Sequence, residues 1–284
     1  MKFTIGCDPE FFLKKGDKYV NGLPYFYGMK GDPQPIGNGA GAMIDNAAVE
    51  FCTPPFDKEA KWTKGIKRAL QSMQKLLPDD VELVIAPAVE FEQSELENPI
   101  CKEFGCSPDY NAWKGGKKNK KPKDAAKKPL RSAGGHIHVG HESLAKNDDK
   151  ITFIKLMDAI HGVVSTIFDD NQERRKLYGA PGCFRPTKYG VEYRTLSNFW
   201  CKSSDLVRLM YKLTRDALKL HVKGKANEII AKIGDYEIQR IISEGDKEAA
   251  LSVLAEHIIP NISGDSANMI MDCAGKQFND KWYN

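Results

Sequence analysis

Through the first half of the chain, apolar and polar positions follow short extended rhythms broken by glycine and proline. Runs at Lys2–Ile5, Glu10–Lys14, Lys18–Val20, Ala47–Thr53, Val81–Phe91, Gly135–Gly140 and Val191–Leu196 alternate or carry β-branched residues, and each is read as a strand. One helical interval interrupts them. From Asp57 to Leu77, the residues Ala60, Ile66, Leu70, Met73 and Leu77 form an apolar stripe; Asp57 can cap the start and Pro78 stops the end. In the second half the period lengthens. Asp149 can cap a helix carrying Ile151, Ile154, Met157, Ile160, Val164 and Ile167; another runs from Ser203 to His221, and shorter helices fill Asn227 to His257. The C-terminal stretch with Gly264, Asn268, Gly275 and Asn279 shows no clear period and stays unassigned. Strands first and helices afterwards, without strict alternation, predict an α+β domain with an antiparallel sheet.

Composition narrows this reading. At 284 residues, 41% hydrophobic and 28% charged, the chain suits a soluble globular enzyme and excludes a disordered or fibrous one. No apolar run approaches about 18 residues, so no membrane span is expected. The N-terminus MKFTIGCDPEFFL lacks the apolar core of a secretory leader. The seven cysteines (Cys7, Cys52, Cys101, Cys106, Cys183, Cys201, Cys273) are odd in number and scattered, which points to free thiols in the cytoplasm. Much of the net charge of +4 sits in the eight lysines from Lys114 to Lys128. Residues 113–131 cannot bury a core and are read as a mobile insertion within a single domain spanning 1–284, whose part from about residue 149 onward is mainly helical.

The candidate chemistry lies in four polar pairs at strand spacing: Asp8 with Glu10, Asn46 with Glu50, His136 with His138, and Glu192 with Arg194. Residues i and i+2 of a strand share a face. Val49, Phe51, Ile137, Val139, Val191 and Tyr193 suit the opposite, core-facing side. One face would then gather carboxylates, two imidazoles and an arginine. Carboxylates crowded on a buried face repel one another and lose hydration; a divalent cation removes that cost, and oxygen-rich sets suit magnesium or manganese. Each pair alone also fits a turn or a surface ion pair; their joint order is what is specific.

That order resembles a family. GCDPEFFL, DNAAVEFCTPP, GGHIHVG and GVEYRTLSNFW look like successive signature strands of glutamate–cysteine ligases and glutamine synthetases, and together with GCSPDYNAW they resemble the phage-encoded branch of carboxylate–amine ligases (amidoligases). The resemblance implies a glutamine synthetase-like half-barrel of antiparallel strands with helices packed outside. It implies ATP, two to three magnesium or manganese ions, and amide formation through an acyl phosphate. It carries Glu10, Glu50 and Glu192 onto metal-ligand positions, with His136 or His138 as a nitrogen ligand or phosphate contact and Asp8 as a further ligand. Arg194, with Arg185, would meet the transferred phosphoryl group; Lys30, Arg131 and His138 are candidate nucleotide contacts. Asp8 and Asp45 are candidates for the base that takes a proton from the amine. The chain departs from the family pattern at Asp8, which stands where Glu is usual, and at Asp45, five residues before Glu50. Strand parity puts Asp45 on the wrong face unless a bulge or turn intervenes. The substrates would be a small carboxylic acid and an amine, such as amino acids or a peptide, or else an acidic or macromolecular acceptor. Localisation would be cytoplasmic, in a host cell if the chain is phage-encoded.

Two other readings compete. His136-x-His138 followed by Glu142 fits the first motif of a cupin-like metal enzyme, although no second-motif histidine follows. The lysines from Lys114 to Lys128, with Trp113 and Tyr110, could track phosphates in a nucleic-acid-binding module. No Walker A sequence is present, and Gly37-Asn38-Gly39-Ala40-Gly41 precedes a strand rather than a helix, so it is read as a flexible loop.

Overall fold

Strand β1 (Thr4–Lys15) is twelve residues long and joins two of the expected strands into one. The computed structural model describes residues 2–102, 109–119, 128–169, 174–175 and 178–284. Asp8-Pro9-Glu10 does not turn. Pro9, which cannot donate to a ladder, stands where β1 changes partners. Before it, β1 pairs with β11 (Gly135–Gly140); after it, with β6 (Val81–Val84) and β2 (Lys18–Val20).

The remaining strands of the main sheet are β3 (Gln34–Gly37), β4 (Ala40–Asp45), β5 (Ala48–Cys52), β8 (Tyr110–Asn111), β9 (Lys117–Lys118), β12 (Cys183–Pro186) and β13 (Gly190–Tyr193). Their order is β3-β4-β5-β1-β11-β13-β12-β8-β9, and every adjacent pair is antiparallel. A separate two-stranded sheet joins β7 (Ala88–Glu90) to β10 (Leu130–Ser132). The expected strand Val81–Phe91 is thus two strands, parted at Ala86-Pro87. Strand β4 falls partly in the Gly-Asn-Gly-Ala-Gly run read as a loop. Small residues are needed there because the backbone is closely overlaid: a Cβ on Gly41 would meet Pro33 Cβ at 2.7 Å.

One face of the main sheet carries Ile5, Phe11, Val49, Phe51, Ile137, Val139, Val191 and Tyr193, all fully buried. Helices close over this face: α1 (Glu59–Lys75), α2 (Asn147–Phe168) and α3 (Ser204–Val222), followed by shorter ones. Trp62 of α1 stacks on Trp200 with ring centres 5.7 Å apart and donates from Nε1 to the Val207 carbonyl of α3 at 2.8 Å. The caps differ from the expected ones. Asp57 binds Lys61 at 2.8 Å instead of capping α1, Asp149 lies inside the first turn of α2, and Ser203 does cap α3, accepting from Leu206 N–H. The unassigned C-terminal stretch forms the helix Gly264–Ala274, capped by Ser263.

Helix α2 bears on the membrane expectation without overturning it. Its 22 residues, with mean hydropathy 1.5 over the most apolar window, are long and apolar enough to cross a bilayer. However, 72% of that window is buried within the fold, and the domain core accounts for its apolarity. Cys106 and residues 120–127 of the lysine-rich insertion lie outside the described residues; the rest of the insertion is not a loop throughout, since Lys117–Lys118 pair with Tyr110–Asn111 at the sheet edge and Leu130–Arg131 belong to β10. The six described cysteines are free thiols.

Candidate active site

Strand register brings the expected residues together. Glu50 lies opposite Glu10, Asp8 opposite His136, His138 opposite Glu192, and Arg185 opposite Glu192. Residues directly opposed in an antiparallel pair share a face. Side chains from five adjacent strands, β5, β1, β11, β13 and β12, therefore line one trough on the side of the sheet away from the helical core. Asp45 joins them, contrary to the simple parity count. It pairs with Ala48 across the two-residue turn Asn46–Ala47, and Ala48 alternates with Glu50 on one face. Asn46 makes this turn possible: it adopts φ +59°, a left-handed conformation that Asn tolerates, and its amide binds Asp45 Oδ1 at 3.1 Å. Asn46 is a turn residue rather than a partner of Glu50 in the site.

Two groups of potential ligands result. Asp8, His138 and Glu192 bring one ligand atom each to within 4.8 Å of one another, and so do Glu10, Asp45 and Glu50. His136 stands between them, 1% exposed, with Nδ1 3.3 Å from Asp8 Oδ1 and Nε2 3.8 Å from Glu10 Oε1. His138 Nε2 is 3.0 Å from Asp8 Oδ1, and its Nδ1 meets the Tyr189 hydroxyl at 2.6 Å.

The electrostatics are those of acids held too close together. Burial and the neighbouring Asp45 push Glu10 up to about 8; burial and Asp8 push Glu192 up to about 7. Burial also raises Asp45, which shares a hydrogen bond with Glu10. Asp8 behaves oppositely. Burial opposes its charge, yet the facing His138 and His136 hold its carboxyl well below the usual range. Burial and Arg194 keep His136 neutral, with its pKa down at about 3. Two unit charges 4 Å apart repel by about 4 kcal/mol at an effective dielectric near 20, which is the scale a bound cation would offset. The donor sets fit such an ion. One group is all oxygen, the other adds an imidazole, and buried His136 Nε2 has no hydrogen-bond partner among the described residues.

Cations close one end of the trough. Arg194, 1% exposed, donates from Nη1 to Glu192 Oε1 and to His136 Nδ1 at 3.2 Å, and lies 5.3 Å above the Tyr178 ring. Among the described residues its Nε and Nη2 have no hydrogen-bond partner; Asp109 stands 3.8 Å from Nε, and Nη2 remains as a donor for an anion. Arg185 Nη1 is 3.5 Å from Glu192, and exposed Lys30 is near enough to lower the pKa values of Asp45 and Glu192. Arg131 is engaged elsewhere. It lies on β10 in the second sheet, donating to the carbonyls of Cys101, Lys128 and Leu130, and the trough does not include it.

Three further residues were not anticipated. Asp109, within the GCSPDYNAW motif, sits 3.8 Å from Arg194 Nε. Tyr189 anchors His138, and its place just before the Gly190 strand start was the available signal. Buried Arg174 binds the carbonyls of Ala133, Thr195 and Leu196, fixing the β11 and β13 ends together, and no local pattern marked it.

The competing readings fare less well. Glu142 lies on a turn beyond β11 and, among the described residues, joins neither ligand group, so the cupin-like set is not assembled. Of the two aromatics that supported nucleic-acid binding, Trp113 donates to Asp158 at 2.6 Å with Lys155 over its ring, and Tyr110 packs on Phe184; both are half-buried and engaged within the fold. An inner cavity of about 390 Å³ reaches Asp8, Cys52 and His138. An outer one of about 840 Å³, edged by Lys2, Lys58 and Lys188 and by Asp57 and Glu142, adjoins it at Thr4, Gly140 and Tyr189.

Part of this trough falls within a region similar to a known family. Residues 126–263 match the model of a family described as phage phiEco32-like COOH.NH2 ligase-type 2. The match covers just under half of the chain; it includes His136, His138, Arg185, Glu192 and Arg194 but not the acids of β1, β4 and β5. No curated protein matches the chain significantly. Among solved structures, the chain is similar to a bifunctional glutathione synthetase from Pasteurella multocida, at 10% identity and a TM-score of 0.43 over 96% of this chain and 51% of that one. The chain thus spans about half the length of that protein, and a likeness this slight establishes neither a shared fold nor a shared activity.

Proposed function

We propose that the protein is an ATP-dependent carboxylate–amine ligase forming a carbon–nitrogen bond. The observation that carries this reading is the convergence, on one sheet face, of two carboxylate-rich ligand groups beside a buried arginine with unused donors. The ligase-type family match over the β11–β13 region supports it. The trough is read as the concave face of a glutamine synthetase-like half-barrel, with the helices on its outside.

A carboxylate is a poor electrophile, and an amine does not displace hydroxide from it at neutral pH. Transfer of the ATP γ-phosphoryl group yields an acyl phosphate with a good leaving group. The residues of this chain divide the task. Arg194 and Arg185 hold the phosphoryl oxygens and stabilise charge during transfer, and Lys30 contacts the phosphates at the rim. Asp8, His138 and Glu192 would hold one divalent ion and Glu10, Asp45 and Glu50 a second; when bound, magnesium or manganese supplies the positive charge that lets two anions approach. Tyr189 fixes the His138 ring. Of the two candidate bases, Asp8 is ill suited, because the facing histidines hold its carboxyl well below the usual range. Asp45, raised by burial, is the carboxylate better matched to the proton of the incoming ammonium, through an oxygen not committed to an ion. The adjoining cavities, whose outer rim carries Lys2, Lys58 and Lys188 together with Asp57 and Glu142, suit a zwitterionic amino acid or peptide as the substrate.

A hydroxylamine trap tests this reading. Protein, magnesium, ATP and pooled amino acids should yield hydroxamate and ADP, and Glu192→Ala should yield neither. ADP formation absent with every acid, or equal in the variant, would count against the ligase.

A further inference from the structure

Beneath the trough, on the core side of the same strands, lies a buried carboxylate that the proposed chemistry does not use. Asp158 is 0% exposed, within the π-turn Asp158–Gly162 of α2. Its Oδ1 accepts from the Tyr193 hydroxyl at 2.7 Å and from Thr195 Oγ1 at 3.0 Å; its Oδ2 accepts from Trp113 Nε1 at 2.6 Å. The Gly182 backbone N–H is a fourth donor. All four are neutral, so this carboxylate has been taken out of water without a paired cation at its hydrogen bonds, an arrangement costly as packing alone.

The positions of the donors explain what it fixes. Tyr193, the last residue of β13, and Thr195 flank Arg194, which directly follows the strand. Gly182 immediately precedes β12, which carries Arg185. Trp113 sits in the turn after Asn111, beside Asp109, the acid facing Arg194 Nε. One carboxylate therefore ties together the three chain segments that present the two arginines and the acid beside them. Local geometry is shaped around it. A Cβ on Gly162 would meet the Tyr193 hydroxyl at 3.1 Å, and one on Gly182 would meet Trp113 Cδ1 at 2.5 Å. A π-turn, with its widened ring, recurs where a helix must offer a group out of register.

We propose that Asp158 is a positioning residue, a hub that sets the placement of the Arg194 guanidinium from the opposite face of the sheet. What Arg194 then does rests on the ligase reading; that Asp158 holds it does not. The test uses the full chain with ¹⁵N-labelled arginine. The buried Arg194 Nε–H resonance is assigned through Arg194→Lys, with Arg131 in the second sheet as reference. In Asp158→Asn the Arg194 resonance moves or broadens while that of Arg131 stays. kcat for hydroxamate falls by roughly 10–100-fold, with KM for ATP unchanged. Tyr193→Phe deletes one hydrogen bond and keeps the ring, so it shifts the same resonance in a chain whose packing is intact. An unmoved Arg194 resonance in the folded variants, or an unchanged kcat per folded molecule in Asp158→Asn, overturns the proposal. If the parent protein makes no hydroxamate while the Arg194 resonance still responds, the ligase reading fails and the positioning role stands.

Discussion

The two faces of strand β13 and of the two residues that follow it, Arg194 and Thr195, are built from alternating residues of one short sequence, yet they obey different physics. On the core face, Val191 and Tyr193 are fully buried among helices, and the polar groups there are satisfied within the fold: the Tyr193 hydroxyl and Thr195 both bind Asp158. On the trough face, Glu192 and Arg194 are just as dry, but Glu192 is held in an uncomfortable charge state and Arg194 keeps donors unused. β1 repeats the contrast, with Phe11 on one side and Asp8 and Glu10 on the other. The core face accounts for stability; the trough face carries a stored electrostatic cost that only a bound ion or anion relieves. Substitutions on the two faces should therefore have separable effects.

The largest expected effect is on the trough. Glu192→Ala or Glu10→Ala should lower turnover by on the order of 10³-fold, about 4 kcal/mol of transition-state stabilisation, while the melting temperature of the metal-free protein holds or rises. Steady-state kinetics beside calorimetry checks this, and a large loss of stability would erase the contrast. Phe11→Ala on the core face should do the reverse. It should cost about 3–5 kcal/mol of stability in denaturant titrations, with turnover per folded molecule kept.

A pH titration sharpens the comparison. In the metal-free protein, Glu10 and Glu192 hold their protons up to about 8 and about 7, well above the ordinary value of 4.5. The folded state thus binds protons that the unfolded chain has released, and the stability tied to them is complete below pH 4.5 and lost as pH rises through about 7 and then about 8. The buried neutral His136 and His161, both at about 3, act in the opposite sense and only below their unfolded value of 6.5. Between about pH 6.5 and pH 8, then, melting temperature should fall in EDTA, and saturating magnesium should flatten or reverse the trend because its ligands must be deprotonated. A flat EDTA profile would contradict the picture of crowded acids. The smallest effect is expected at the trough's edge. Tyr189→Phe removes the hydroxyl on His138 Nδ1 and should reduce kcat/KM by about 3–10-fold, with stability changed by no more than about 1 kcal/mol.

Much of this site was legible in the sequence because strand alternation is a strict rule: once Asp8, Glu10, His136, His138, Glu192 and Arg194 lie in extended segments, their shared face follows. Order along the chain supplied the rest. What alternation could not supply was anything decided at a turn. Asp45 was assigned by parity to the wrong face because Asn46, in a left-handed conformation, reverses the chain within two residues. Strand β4 was hidden because its first half, Ala40-Gly41-Ala42, is made of small residues suited to close backbone approach, which leaves only Met43 and Ile44 as an apolar signal. Arg131 shows the opposite limit: a cation near a motif in sequence can be absorbed by carbonyls of another sheet. Asp158 and Arg174, which act from helices or chain segments packed across the strands, belong to tertiary structure, and no local pattern announces them.

The measurement that bears most directly on the trough is a manganese titration of the metal-free protein at pH 8, followed by electron paramagnetic resonance. Two sites per chain are predicted, one lost in Glu192→Ala and the other in Glu10→Ala. Manganese that stays free at millimolar concentration, or a stoichiometry untouched by either substitution, would mean that these acids converge for some purpose other than holding cations.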